Sequence, residues 1–136
     1  MSRTIAAGPE QVWQLIGGFT SLTDWMPYIS TGVAEEGGRV RRLENVDGEI
    51  IVERLVHHDE AKREYSYRIE MGPCPVSNED YVATIRVHPV AGDPAISEVQ
   101  WSARFTPTGQ SESEVTERFA DIFSKGLDAV AGKFRK

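Results

Sequence analysis

The sequence has a single cysteine, Cys74, among 136 residues. An internal disulfide is therefore impossible, and a reducing cytoplasm is the simplest expected home. With that one thiol and three histidines (His57, His58 and His88), no ligand spacing of the structural-zinc kind exists, and neither a metal nor a cofactor is expected. No run approaches 18 consecutive apolar residues, so no membrane span is expected. The N-terminal Met-Ser-Arg-Thr-Ile-Ala-Ala-Gly-Pro also lacks the apolar stretch of a signal peptide. Basic residues are the minority: 15 Lys and Arg against 21 Asp and Glu leave a net charge of −6. The one dense basic run, Arg39, Arg41 and Arg42 around Val40, has acidic neighbours. Phosphate recognition needs a concentrated basic patch, so no nucleic-acid partner is expected. Gly17-Gly18 and Gly37-Gly38 lack the Lys-Ser/Thr sequel of a phosphate loop. Internal repeats and low-complexity linkers are missing as well, and the length fits one domain spanning 1–136.

What is present is a change of period along the chain. Residues 2–7 read as an opening strand. Gly8-Pro9-Glu10 then begins a helix, with proline at the first helical position where its missing N–H is harmless. Val12, Trp13, Leu15 and Ile16 give this helix an apolar side, and Gly17-Gly18 ends it. A second short helix is expected from about Ser21, stopping before Pro27. From 29 to 106 the period is two. Tyr65, Tyr67, Ile69 and Met71 share one parity, as do Tyr81, Ala83, Ile85 and Val87, and then Val99, Trp101, Ala103 and Phe105. Each set is opposed by polar residues, the mark of strands with one dry and one wet face. Glu36-Gly37-Gly38, Asp47-Gly48, Asp59-Glu60, Gly72-Pro73 and Ala91-Gly92-Asp93-Pro94 punctuate them. Such short connections imply antiparallel hairpins.

The chain closes with a long amphipathic helix. Ser111-x-x-Glu114 reads as a capping box. Val115, Phe119, Ile122, Phe123, Gly126, Leu127, Val130 and Phe134 follow at helical spacing. The expected fold is α+β: a curved antiparallel sheet of about seven strands, two short helices after the first strand, and the final helix covering the dry face of the sheet.

Strand parity also selects the interior. Leu43, Ile51, Leu55, Tyr65, Tyr67, Ile69, Tyr81, Trp101 and Phe105 point inward, facing Phe119, Phe123 and Leu127 of the helix. Such a wall suits a flat or greasy small molecule. The alternative is that these side chains simply fill the space between sheet and helix. Glu53 shares parity with Ile51 and Leu55, which turns a carboxylate inward, where it requires a partner. If Gly48 takes the left-handed position of a three-residue loop centred on Asp47, paired residues sum to 94. Leu43 then faces Ile51, Arg41 faces Glu53, and Tyr67 lies on the next strand within reach. This trio either satisfies itself or forms a polar pole able to anchor a carboxylate, hydroxyl or carbonyl, or to act as acid and base on an enol. His57 has inward parity but sits beside a turn, while His58 and His88 have the outward parity. Cys74, flanked by Pro73 and Pro75, is expected at the cavity rim in a gate-like loop, and no histidine is spaced to activate it. Trp25 and Tyr28 are expected on the opposite rim.

Several segments carry a family resemblance. They are Pro9-Glu10-x-Val12-Trp13, Phe19-x(5)-Trp25-x-Pro27, Val40-Arg41, Asp47-Gly48-x(4)-Glu53-Arg54-Leu55, Tyr65-Ser66-Tyr67-Arg68-Ile69, Pro73-x-Pro75-Val76-x(4)-Tyr81, Trp101-Ser102-Ala103-x-Phe105 and Gly126-Leu127. On these the chain resembles the START-like (SRPBCC) superfamily, the helix-grip fold shared with the major birch-pollen allergen, and within it the polyketide cyclase/dehydrase-type branch. The resemblance implies a sheet wrapped around the C-terminal helix with a cavity between them. It does not specify a reaction, because carriers, receptors, aromatases, cyclases and co-chaperone domains share this architecture. One departure is Trp25-Met26-Pro27, where the family often has Trp-His-Pro, which removes a proton-transfer candidate. Three functions follow for testing: a module that encloses a small hydrophobic or aromatic molecule, a cyclase, aromatase or dehydratase using Glu53, Tyr67 and Arg41, and a co-chaperone-like interaction domain. No pattern in the sequence speaks to oligomeric state.

Overall fold

The computed structural model describes residues 1–73, 75–77 and 79–134. Strand β1 (Ser2–Ile5) leads into helix α1 (Pro9–Ile16). Seven antiparallel strands form one sheet, completed by β2 (Ile29–Glu35), β3 (Val40–Asn45), β4 (Ile50–Asp59), β5 (Glu64–Met71), β6 (Val82–Val90) and β7 (Asp93–Arg104). Helix α2 (Glu112–Lys133) ends the chain's regular structure. The strand order is β1-β7-β6-β5-β4-β3-β2, so every neighbour is a hairpin partner except β1, which closes against β7. The expected second helix is only a 3-10 turn, Leu22–Asp24, because Pro27 leaves too few residues after Gly18 for a longer one.

Helix α1 begins as its proline predicts, and Gly8 N–H donates to Gln11 Oε1 at 3.3 Å. It ends where Trp13 folds back over the backbone: a Cβ on Gly17 would lie 2.5 Å from the indole ring, so only glycine fits. Helix α2 is capped by Ser111, whose Oγ accepts the Glu114 N–H at 3.2 Å. The return arm of the expected box is a side-chain contact, Ser111 Oγ to Glu114 Oε1, rather than a bond to backbone. The α2 stripe Val115, Phe119, Phe123, Gly126, Leu127 and Val130 is buried against the inner sheet face, each large side chain contributing roughly 1.5–3 kcal/mol. Gly126 marks the closest approach. A Cβ there would meet Met26 Sδ at 2.7 Å and Trp101 Cζ3 at 2.8 Å.

Hairpin arithmetic holds at the β3–β4 turn. Arg41 pairs with Glu53 and Leu43 with Ile51, and Gly48 has φ +81° as the left-handed turn residue. Parity fails where bulges intervene, since an extra residue on one strand moves everything beyond it to the other face. On β5 the partners jump from Glu53–Ile69 to Val52–Met71, which turns Met71 outward, 45% exposed. On β4 they jump from Leu55–Tyr67 to His57–Ser66 and His58–Tyr65. Val56 is the extra residue, so His58, expected on the outside, shares the inner side with Tyr65, and His57 turns outward. The His58 ring stacks over Tyr65 at 6.3 Å and lies 5.6 Å from Trp13. Strand β7 begins at Asp93, after a two-residue turn containing Gly92 at φ +81°. Its partners jump from Val90–Asp93 to Pro89–Ser97, so Pro94 falls in the unpaired bulge, where its missing N–H leaves no ladder bond unmade. No helix among the described residues is long and apolar enough to cross a membrane.

Candidate functional site

Between the inner sheet face and α2 lies a cavity of about 50 Å³, counted as space open to the centre of a water molecule. That is room for a few waters; a cavity of about 150 Å³ holds benzene, so a single ring enters only as the wall gives. Its polar pole is built by the β3–β4 register. Arg41 Nε and Nη2 each reach Glu53 Oε1 at 2.8 Å, and Arg41 Nη1 donates to the Phe19 carbonyl at 2.7 Å. The guanidinium is held between aromatic faces, 4.2 Å from the Phe19 ring centre and 4.6 Å from that of Tyr67. The Tyr65 ring, centred 5.9 Å from the guanidinium carbon, completes the enclosure. Arg41 is 1% exposed and Glu53 7%.

Burial pushes the Glu53 carboxyl above its ordinary range, with the Arg41 charge and hydrogen bonds opposing. Burial by itself would lower Arg41, but the Glu53 charge and the two tyrosines outweigh it and hold the guanidinium charged. Tyr65 is raised by burial. Tyr67 is raised well above the usual phenol value, first by burial and then by the Glu53 charge, so it stays protonated and neutral. The Tyr67 hydroxyl does not bond the carboxylate; it accepts the Trp101 indole N–H at 3.1 Å.

The Glu53 shift predicts a pH signature. A folded carboxyl that holds its proton more tightly than the unfolded chain, whose value is about 4.3, adds stability below that value. The contribution is lost as pH rises through the raised folded value. The difference in unfolding free energy between wild type and Glu53→Gln, measured by urea titration, is therefore expected to shift against the wild type as pH rises above about 4.3. A difference that does not vary with pH would mean that burial leaves Glu53 unperturbed.

Of the residues expected to meet a ligand, the cavity brings together Tyr28, Arg41, Glu53, Tyr67, Ile69, Tyr81, Trp101, Phe119 and Phe123. Five others lie elsewhere. Trp25 packs at 5.5 Å on Trp101 and over Gly126, behind the wall rather than at the rim. Tyr65 is buried beneath Arg41 and Trp13. Leu55 and His58 line a separate outer groove with Trp13, Phe19 and Glu60. Phe105 packs on Phe119 and faces a surface groove beside Met1, and Leu127 is wholly enclosed in the core. Leu43 and Ile51, also expected on the inner wall, border it as well, and the cavity adds Leu22, Met26, Ile29 and Ile122. Leu22 and Met26 sit four residues apart around the 3-10 turn, a spacing that marks one face, and Ile122 belongs to the α2 stripe. Met26 thus faces the cavity from the position where the family often has histidine. Cys74 lies outside the described residues. Its neighbours tie the loop to the chain before α2, through a Val76–Pro107 bridge and a Thr108 N–H bond to the Pro75 carbonyl.

A sheet gripping a terminal helix around such a hollow defines the helix-grip class. The chain matches the family model described as "Polyketide cyclase / dehydrase and lipid transport" over residues 1–135, and it belongs to that family. Among solved structures it is similar to the protein XoxI from Bacillus cereus, with 46% identity over 98% of this chain and 92% of that one, at a TM-score of 0.94. A putative uncharacterized protein from Bacillus thuringiensis is equally similar, at 46% identity and TM-score 0.94, covering 98% and 96% of the two chains. The Zhui aromatase/cyclase from Streptomyces sp. R1128 shares the fold at 21% identity and TM-score 0.78, covering 98% of this chain and 90% of that one. No curated protein matches the chain.

Proposed function

We propose that this protein binds one small, mostly apolar molecule of about single-ring size in the cavity between the sheet and α2. The observation that carries this reading is an interior left partly unfilled and lined by aromatic and aliphatic side chains, with one buried ion pair at its pole. Domains normally fill such space, and a void bordered by a few polar atoms is the usual form of a small-molecule site. The family description and the fold shared with an aromatase/cyclase support the same reading. Native mass spectrometry of protein purified from its own host is expected to show a copurified compound of low mass that leaves on denaturation. Protein that is always bare, and whose melting temperature no added single-ring compound raises, would remove this reading.

A second reading, acid–base catalysis of the cyclase or dehydratase type, has one specific observation in its favour. Glu53 and Tyr67 reach the same cavity, one a carboxyl shifted upward and the other a phenol kept protonated. Incubating the copurified compound with the protein and following its mass separates a carrier, which returns it unchanged, from an enzyme.

A further inference from the structure

The polar pole has a handedness of donors and acceptors that narrows the ligand class, an inference that rests on the cavity being a binding site. Arg41 has its charge met by Glu53 and three of its five N–H groups bonded within the chain. Nε and Nη2 each donate to Glu53 and Nη1 to the Phe19 carbonyl, and the Phe19 and Tyr67 rings cover its faces. Among the described residues, Arg41 and Glu53 are the only charged side chains on the cavity wall, so with Glu53 ionised the charge there sums to zero. Both arginine bonds converge on Oε1, which leaves Glu53 Oε2 without a hydrogen bond among the described residues. The Tyr67 oxygen takes the Trp101 N–H, so its own proton has no acceptor among the described residues. At its pole the cavity therefore presents a charged acceptor, Glu53 Oε2, beside the Tyr67 hydroxyl, with Tyr28 and Tyr81 also on the wall.

We propose that this cavity selects neutral aromatic or enolic hydroxyl compounds and rejects carboxylates of the same shape. A hydroxyl donates to Glu53 Oε2, in a bond strengthened by the carboxylate's charge, and accepts from Tyr67. A carbonyl compound satisfies only Tyr67, and a hydrocarbon satisfies neither. A carboxylate has no proton to give Oε2 and brings a second negative charge to a pole whose guanidinium is already neutralised. The long-range attraction of a buried arginine for acids is absent here, because its counterion is built in.

Phenol, toluene and benzoate test this at pH 8, where phenol is neutral and benzoate is charged. Titrations followed by calorimetry and by the Trp101 indole N–H resonance are expected to show phenol binding at least about tenfold tighter than toluene, from bonds to a charged acceptor, and no benzoate binding. In Tyr67→Phe the preference for phenol over toluene is expected to shrink several-fold, with an unchanged far-UV circular dichroism spectrum showing that the variant still folds. Benzoate binding as well as phenol, or phenol binding no better than toluene, overturns the selectivity and leaves the cavity reading standing. If none of the three compounds binds, this inference is overturned, and the cavity reading falls with it only where the purified protein is also bare.

Discussion

Replacing Arg41 with alanine is expected to lower folding stability by about 3–5 kcal/mol, among the largest effects of any single substitution outside the hydrophobic core. The loss comes less from the ion pair itself than from what remains. Glu53 would stay buried with neither of its two arginine bonds, the Phe19 carbonyl would lose its donor, and two aromatic faces would lose the cation between them. An uncompensated carboxylate in that position takes up a proton, so the variant should regain part of its stability at acid pH. The double variant Arg41→Met with Glu53→Leu removes both charges at similar volume and should recover most of the loss, because desolvating two ions offsets much of their attraction. Urea unfolding of the two single variants and the double variant gives the coupling directly. A cost under about 1 kcal/mol for Arg41→Ala is the value of a solvated pair, and would show that water reaches Glu53 in solution.

Phe123→Ala is expected to cost about 3–5 kcal/mol and at the same time to enlarge the ligand space. The ring is buried, stacks on Trp101 with centroids 4.2 Å apart, and forms part of the cavity wall from α2. Its removal opens a void continuous with the existing one. Packed neighbours relax only partly around such losses, so much of the void persists. A two-ring compound such as 2-naphthol, which exceeds the native space, should then raise the melting temperature of the variant more than that of the wild type, since binding only the folded state stabilises it by mass action. Equal shifts, or none, would show that α2 collapses onto the gap. The measurement is a pair of thermal melts with and without 2-naphthol, and it reports on cavity continuity without knowledge of the natural ligand.

The legible part of this protein was the part governed by short periods. Alternation separated the dry face from the wet face on β5, β6 and β7, and the Asp47-Gly48 turn set the register that brings Arg41 opposite Glu53. Turn geometry fixes pairing over a few residues, so this contact can be counted out along the chain. Parity became unreliable one bulge further on. Met71, His57 and His58 each changed face because Glu70 and Val56 are extra residues in their ladders, and neither has the glycine that would have announced a bulge. Trp25 and Tyr65 were misplaced relative to the cavity for another reason: an inward direction does not say whether a side chain borders a void or lies behind the residues that do.

From the sequence alone came the α+β class, the terminal helix and its apolar stripe, and the inward carboxylate with its guanidinium partner, because each depends on patterns or turns spanning only a few residues. Only the tertiary structure decided that the Tyr67 hydroxyl serves Trp101 rather than Glu53, and that Leu55 faces an outer groove. It also set the hollow at about 50 Å³ rather than filling it. These outcomes depend on how α2, the Leu22–Asp24 turn and the curved sheet meet in space, and close packing between distant segments leaves no periodic trace along a chain.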